Sequence, residues 1–219
     1  AEEAAMAARR AARGESGRLT IGFIHAASYA LLPGILRRFR ERTPGIEIRL
    51  QEMTGTEQLP ALLDGRIDAS FLRPPVANTA IRTRVIVREP FVVALPRRHR
   101  LAVRAALGLR ELSGDRFVMY APGRSPLYGQ VLGACLKAGF TPDIVQHAMH
   151  IMTLIGLVRS GVGVALLPQS ASAVRMDGIV YRRLRDRGPL AQTAVAWREG
   201  DVTPVTRAFL AAAAGATPP

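Results

Sequence analysis

The sequence has 219 residues, of which 48% are hydrophobic, and a formal net charge of +13 at pH 7. This length suits one large domain or two small ones, and the apolar content is ample for a packed core. No apolar run reaches the roughly 18 residues of a membrane-spanning helix, and the single cysteine, Cys135, excludes an internal disulfide framework. We therefore expect no membrane partner, and a cytoplasmic protein is the simplest interpretation.

Almost all of the positive charge comes from arginine, because Lys137 is the only lysine. Arginines cluster at residues 97–100 and 182–187, and such clusters can bind polyanions. Neither cluster has the interleaved aromatic residues of a surface that binds single-stranded nucleic acid. A GC-rich coding sequence explains the arginine content equally well, so a solvated face is favoured over a nucleic-acid groove.

The first half of the chain alternates between predicted strands and helices. After a polar helix over residues 2–13, the pattern predicts strands at 19–24, 46–50 and 67–72, with helices at 31–39 and 54–63. The first of these helices carries apolar residues at helical spacing from Leu31 to Phe39. Thr43-Pro44-Gly45 and Asp64-Gly65 are typical helix stops.

A second, similar set of elements follows. The pattern predicts strands at 91–95, 117–120, 143–146, 163–167 and 192–198, and helices at 128–136, 154–158 and 205–210. One helix face should contain Tyr128, Val131, Leu132, Cys135 and Leu136. The chain is therefore predicted to form two α/β units, joined by short strands near residues 88–90 and 189–193. The ligand cleft of such a fold lies between its lobes.

No catalytic or cofactor motif is recognisable. The four histidines lack metal-ligand spacing, and no G-x-S-x-G elbow or Walker A sequence is present. Gly161-Val162-Gly163-Val164 imitates part of a dinucleotide motif, but it follows a helix and precedes a strand, which is the reverse of the required order. Asp64 and Asp68 have the positions of element boundaries rather than of an acid/base pair. We therefore expect no enzyme, no metal site and no cofactor.

Several turns instead lead from a strand into the start of a helix. They contain Ala26-Ala27-Ser28, Thr54-Gly55-Thr56, Ser125-Pro126-Leu127-Tyr128 and His150–Thr153. N–H groups at helix starts carry partial positive charge and can bind a small anion. Hydroxyl residues at these positions are also ordinary helix caps, which is the favoured interpretation of any one of them. Arg73, after the third strand, could add a charge-assisted contact to a carboxylate, or could be an exposed arginine before a Pro-Pro turn.

A family resemblance is carried by segments spread along the whole chain. They are residues 9–22, Leu31-Leu32-Pro33, Phe39-Arg40 before Pro44, 62–69, Leu95-Pro96 with His99, 138–142, 157–168 and Trp197-Arg198. In their order and spacing they resemble the effector-binding portion of LysR-type transcriptional regulators. Pro126-Leu127-Tyr128 and residues 178–181 are most similar to the branch that senses aromatic-degradation intermediates, such as the muconate and chlorocatechol sensors.

The resemblance implies an α/β fold of two Rossmann-like subdomains joined by two crossover strands, similar to type 2 periplasmic binding proteins. It assigns residues 1–17 to the end of a linker or dimerisation helix, 18–88 and 190–219 to subdomain I, and 89–189 to subdomain II. It also implies a small organic acid as effector, a homodimer or homotetramer, and DNA binding only through an N-terminal helix-turn-helix domain that is absent from this chain.

The effector site implied by the resemblance falls on both subdomains. It comprises Ala26, Ala27, Ser28, Thr54, Gly55, Thr56, Arg73, Leu127, Tyr128, His150, Ile151 and Met152. Related muconate sensors tend to have a hydroxyl where Ala26 stands, so one ligand contact is expected to be missing unless Ser28 or a backbone N–H replaces it.

Two alternatives remain at this point. A solute-binding protein of a transporter would share the two-lobed fold, and its gene would begin with a signal peptide rather than a helix-turn-helix. An enzyme on the same scaffold is disfavoured by the lack of a nucleophile-base pair or a metal set.

Overall fold

The computed structural model describes residues 15–186 and 188–215, so the helix predicted over residues 2–13 lies outside the described part. The strands are β1 (Gly17–Phe23), β2 (Ile46–Glu52), β3 (Ala69–Leu72), β4 (Ile81–Glu89), β5 (Phe91–Pro96), β6 (Ala106–Leu107), β7 (Arg116–Tyr120), β8 (Asp143–Ala148), β9 (Ala165–Pro168), β10 (Ile179–Leu184) and β11 (Ala191–Arg198). The α-helices are α1 (His25–Ala30), α2 (Leu32–Arg42), α3 (Gly55–Leu63), α4 (Pro126–Lys137), α5 (Ile151–Arg159) and α6 (Pro204–Ala214), and 3₁₀ turns lie at Leu109–Leu112 and Gln169–Ala173.

The chain divides into two compact units. Unit 1 contains the described residues up to Val87 and from Gln192 onward, and unit 2 is Arg88–Ala191. The chain passes from unit 1 to unit 2 within β4 and returns at the start of β11. Both strands are longer than the short crossing strands that were predicted, with nine and eight residues. Residues 81–87 were not predicted as a strand, although Ile81 and Val87 are buried at an even spacing.

Unit 1 is built on a five-stranded sheet in the order β2-β1-β3-β11-β4. β1 is parallel to β2 and β3, and β11 is antiparallel to β3. Phe71 and Val195 face the apolar cluster with α2 and α6, where Phe209 packs edge-on against Phe71 with ring centroids 5.9 Å apart. Leu72 and Ala194 face the second cluster, with α3. Both faces of the sheet are therefore covered, because successive strand residues point to opposite sides.

Unit 2 contains a four-stranded sheet in the order β6-β10-β5-β9 and a parallel pair, β7-β8. A parallel bridge between Phe117 and Val164 connects β7 to the residue before β9. The neighbouring Gly163 lies so close to β7 that a Cβ there would be 2.6 Å from the Arg116 carbonyl oxygen. The glycine motif at residues 161–163 is thus explained by close backbone packing.

The predicted helix face of α4 needs correction. On α4 the buried residues are Leu127, Val131, Ala134 and Cys135, whereas Leu136 is 54% exposed. On α5, Leu157 is only partly buried, while Ile151, Leu154, Ile155 and Val158 are buried. β6, β10 and the two 3₁₀ turns were not predicted. The helices of the described residues are all too short or too polar to cross a membrane.

Candidate functional site

The carboxyl ends of three parallel strands meet at one edge of the unit 1 sheet. Phe23, the last residue of β1, is in register with Glu52 at the end of β2 and with Phe71 in β3. Because the strands are parallel and in register, the segments that follow them emerge at the same edge. These segments carry the predicted site residues Ala26, Ala27, Ser28, Thr54, Gly55, Thr56 and Arg73.

The segment after β1 is a short helix, so the prediction of a small-residue turn is wrong. Ala27 is buried in the core, and its N–H donates to the Ile24 carbonyl at 2.8 Å. The Ser28 hydroxyl donates to the His25 carbonyl at 2.7 Å, a bond within the helix. Alanine is the best helix former, so the small residues favour a helix once the Ala27 methyl group packs inside. Ala26 and Ser28 keep partly exposed side chains.

His25 and Glu52 form a contact at this edge that was not predicted. His25 Nδ1 lies 3.0 Å from Glu52 Oε1, and the imidazole also meets the Tyr29 ring edge-on, with centroids 6.0 Å apart. Each residue stands at or just after the end of a strand, which is the signal that could have found the pair. A titratable side chain therefore stands next to Ala26.

The start of α3 combines a cap with open N–H groups. The Thr54 N–H and hydroxyl both donate to Glu57 Oε2 at 2.7 Å, and the Thr54 and Thr56 hydroxyl oxygens are 3.0 Å apart. The N–H groups of Gly55 and Thr56 have no hydrogen-bond partner among the described residues, and both residues are exposed. Two backbone donors are thus available to an acceptor, whereas the Thr56 hydroxyl donates to Thr54 Oγ1, because the Thr54 proton goes to Glu57.

Arg73 is not the exposed arginine of the alternative interpretation. Its side chain is partly buried, and Nη1 donates to the Gln192 carbonyl at 3.1 Å. This bond ties the end of β3 to the start of β11. A guanidinium carries five N–H donors, and the Gln192 carbonyl accepts from one of them.

In unit 2, the ends of β7 and β8 form a second edge of the same kind. Tyr120 is in register with Ala148, and the Ala121 N–H donates to the Ala148 carbonyl at 2.9 Å. The helices α4 and α5 follow these strands, so their starts lie at the same edge of the pair. The predicted site residues here are Leu127, Tyr128, His150, Ile151 and Met152.

At the start of α4, the first two backbone N–H groups are already bonded. Pro126 has no N–H, the Leu127 N–H donates to Ser125 Oγ at 3.2 Å, and the Tyr128 N–H donates to the Ser125 carbonyl at 3.2 Å. The Leu127 side chain is buried in the core. Ser125 at this position is a cap, as the favoured interpretation held.

The Tyr128 side chain packs against His147, another neighbour that was not predicted. The two ring centroids are 5.8 Å apart. His147 Nδ1 lies 3.2 Å from the Tyr120 carbonyl, which can only accept, so Nδ1 carries the proton. In the neutral ring, Nε2 is then the acceptor.

The start of α5 is open, like that of α3. His150 has an extended backbone, and its carbonyl accepts the N–H groups of Thr153 and Leu154 at 3.1 and 3.2 Å. The N–H groups of Ile151 and Met152 have no hydrogen-bond partner in the described part of the chain. The Ile151 side chain is buried, whereas that of Met152 is 36% exposed.

The shifted titratable groups lie in unit 2, outside these helix starts. A hydrogen bond from the Gly108 N–H, supported by Arg185 and Arg104, lowers the pKa of Glu111. Burial raises the pKa of Cys135 to about 11 and also raises the pKa of Tyr181. Within residues 15–186 and 188–215, no group of three or more His, Cys, Asp or Glu side chains could hold a metal ion.

Comparison with known proteins gives a consistent result. The model of the LysR substrate binding domain matches residues 12–217. The chain is 34% identical over 204 residues to the HTH-type transcriptional regulator AlsR of Bacillus subtilis (strain 168), covering 93% of this chain and 68% of that protein. It is 36% identical over 203 residues to the HTH-type transcriptional regulator CatR of Pseudomonas putida, covering 92% of this chain and 70% of that protein.

Solved structures of this family share the fold. CbnR, a LysR family transcriptional regulator, has a TM-score of 0.86 at 25% identity, covering 97% of this chain and 74% of that chain. The BenM effector binding domain with its effector benzoate has a TM-score of 0.78 at 24% identity, covering 90% of each chain. The predicted fold of two α/β subdomains is confirmed, and the relatives are regulators rather than transporter proteins. The chain therefore belongs to the LysR family of transcriptional regulators, as its substrate-binding domain.

Proposed function

We propose that this domain senses a small organic acid through the helix starts at the two strand edges. The observation that carries the proposal is the open start of α3, where the N–H groups of Gly55 and Thr56 lie at the edge shared with Arg73. Backbone donors at a helix start and a guanidinium together suit a carboxylate. The Glu57 carboxylate caps the same helix start, so the attraction of the N–H groups and of Arg73 must outweigh the repulsion between Glu57 and an anionic ligand.

The remaining residues of the proposed site either contact the ligand or position the segments that do. Ala26 and Ser28 contribute from α1, and Tyr128, His150, Ile151 and Met152 from the unit 2 edge. Ala27 and Leu127 position these segments through the core, because their side chains are buried and their N–H groups are bonded. Ala26 offers the ligand a methyl group in place of a hydroxyl.

The wider assignment follows from the family. The domain has no catalytic role in the proposal, and it acts in the cytoplasm as part of a homodimer or homotetramer. DNA is bound through the helix-turn-helix that the names of the relatives describe. Ligand binding would then alter how the regulator acts on DNA.

The experiment is calorimetric titration and thermal unfolding with benzoate and with cis,cis-muconate, a monocarboxylate and a dicarboxylate. A ligand at 100 times its Kd should add about 2.7 kcal/mol to the free energy of unfolding. Thr56→Val removes one hydroxyl at nearly constant volume and should weaken binding by at most about 1 kcal/mol, because this hydroxyl would have to exchange its bond to Thr54 for one to the ligand. Arg73→Ala should weaken it by about 1.5–3 kcal/mol if the contact is charge-assisted.

The matched control is Thr203→Ala, which removes the side-chain cap of α6, outside the proposed site, where Thr203 Oγ1 accepts the Thr206 N–H at 3.1 Å. It should change stability without changing ligand affinity. If neither acid binds, or if Arg73→Ala and Thr56→Val bind as the parent does, the strand-edge site is the wrong location.

A further inference from the structure

Unit 2 contains a cavity of about 760 Å³ that plays no part in the proposed function. It is lined by residues of α4, β5, β9 and β10, and none of the strand-edge residues belongs to its lining. The buried side chains of Phe91, Val131 and Leu166 form an apolar wall. Small-molecule sites typically enclose about 300–1,000 Å³ with mostly apolar walls and a few polar groups.

The lining has a net positive charge. Arg110 and Lys137 both line the cavity, and neither has an ion-pair partner among the residues that the structure describes. The one carboxylate of the lining, Asp186, accepts the Leu109 N–H at 2.5 Å. Two cations against one carboxylate favour an anionic group on a bound molecule.

Gln130 adds an unsatisfied acceptor to the same lining. Its Oε1 atom is buried and has no hydrogen-bond partner in the described part of the chain. A buried carbonyl oxygen without a donor is unfavourable, and a ligand O–H or N–H would satisfy it.

Two helix glycines keep the cavity open. Gly129 and Gly133 line it one turn apart on α4, and a Cβ at either position would have no neighbour within 4 Å. Neither glycine has a positive φ, so the backbone does not require them. Since glycine in a helix interior is about 1 kcal/mol less favourable than alanine, these residues weaken α4 while leaving space.

We propose that this cavity is a second ligand site, for an amphipathic organic anion. The apolar body of the ligand, aromatic or acyl, would cover Phe91, Val131 and Leu166. Its acid group would lie near Arg110 and Lys137, and a hydroxyl or N–H would donate to Gln130. The site is separate from the strand edges and does not depend on the proposed function.

The probe is 6-hydroxy-2-naphthoate, with the neutral 6-hydroxy-2-naphthamide as its matched partner. Because Lys137 is the only lysine of the sequence, its acetylation can be followed alone by mass spectrometry. The naphthoate should protect Lys137 and bind about fivefold more tightly than the amide, as expected for partly exposed cations. Equal binding of acid and amide, or no protection at millimolar naphthoate, overturns the proposal.

Gly133→Leu fills the cavity and should abolish protection of Lys137. Gly156→Leu is the matched control, because that glycine lies on α5, outside the lining, and also has open space at its Cβ. Lys137→Met keeps the stem and removes the charge, so it should weaken binding about fivefold in a fluorescence titration even if Gly133→Leu fails to fold. Thr56→Val should leave this binding unchanged, which separates the cavity from the strand-edge site. An affinity equal to that of the parent in both Gly133→Leu and Lys137→Met overturns the proposal.

Discussion

The two units repeat the same order of strand, helix, strand and helix, but their helices differ in how many N–H groups are bonded at the start. In unit 2 the first such helix, α4, begins with Pro126, which has no N–H, and the N–H groups of Leu127 and Tyr128 are both bonded to Ser125. The second helix of each unit, α3 in unit 1 and α5 in unit 2, begins with two N–H groups that have no partner in the described residues. A Ser or Thr at a helix start can therefore be assigned to a cap or to a binding site only when its hydrogen bonds are known.

The cores of the two units should respond to truncation in proportion to burial. Leu154→Ala on α5 and Leu62→Ala on α3 remove side chains that are fully buried, so each should lower the free energy of unfolding by about 2–5 kcal/mol. Leu157→Ala should have a clearly smaller effect, because Leu157 is only partly buried. Urea unfolding of the three variants measures this order, and equal losses at Leu154 and Leu157 would contradict it.

The next largest loss of stability is expected at one closely packed glycine in each unit. Gly163→Ala should destabilise by about 1–3 kcal/mol, because the new Cβ meets backbone atoms of Arg116 that cannot move independently. Gly22→Ala should cost less, since its Cβ meets the Ile67 side-chain end at 2.6 Å, which can rotate or shift. The control Gly156→Ala, in an open helical position, should be neutral or stabilising by up to about 1 kcal/mol. Chemical denaturation ranks the three variants, and a Gly22→Ala loss larger than that of Gly163→Ala would reverse the comparison.

Removing one hydroxyl from the start of α4 and one from the start of α3 should have different effects on stability. Ser125→Ala removes the acceptor of the Leu127 N–H and should cost about 1 kcal/mol of stability. Thr56→Val removes a hydroxyl that accepts no helix N–H, so thermal unfolding without ligand should change less. A larger loss of stability for Thr56→Val than for Ser125→Ala would show that the Thr56 hydroxyl contributes more to the stability of the fold than the Ser125 cap.

The smallest effect at neutral pH concerns Cys135 of unit 2. Its raised pKa, about 11, means that folding favours the neutral thiol. The stabilisation is therefore fully present below the ordinary thiol pKa and is lost as pH rises toward 11. The difference in unfolding free energy between the parent and Cys135→Ala should shrink from pH 8 to pH 10.5, and native-state thiol labelling at pH 7 should be slow. A difference that grows with pH would contradict the burial argument.

Sequence patterns located most of the elements because their signals are local. Helix α3 begins at the Thr54 cap, and Gly65 and Gly139, which follow α3 and α4, have positive φ angles as helix-ending glycines often do. Local signals failed where side chains are shared between distant segments. Leu136 continues the apolar spacing of α4 but remains exposed, because Ala134 and Cys135 are the residues that face the sheet.

By itself, the sequence determined the α/β alternation, the family and the positions of the strand-to-helix junctions, because periodicity, caps and motif order are properties of neighbouring residues. Tertiary structure alone decided that His25 meets Glu52 and that Arg73 bonds to the Gln192 carbonyl. It also created the cavity beside Gly129 and Gly133. These features depend on strand register and on hydrogen bonds between segments far apart in the chain, and no local pattern records them.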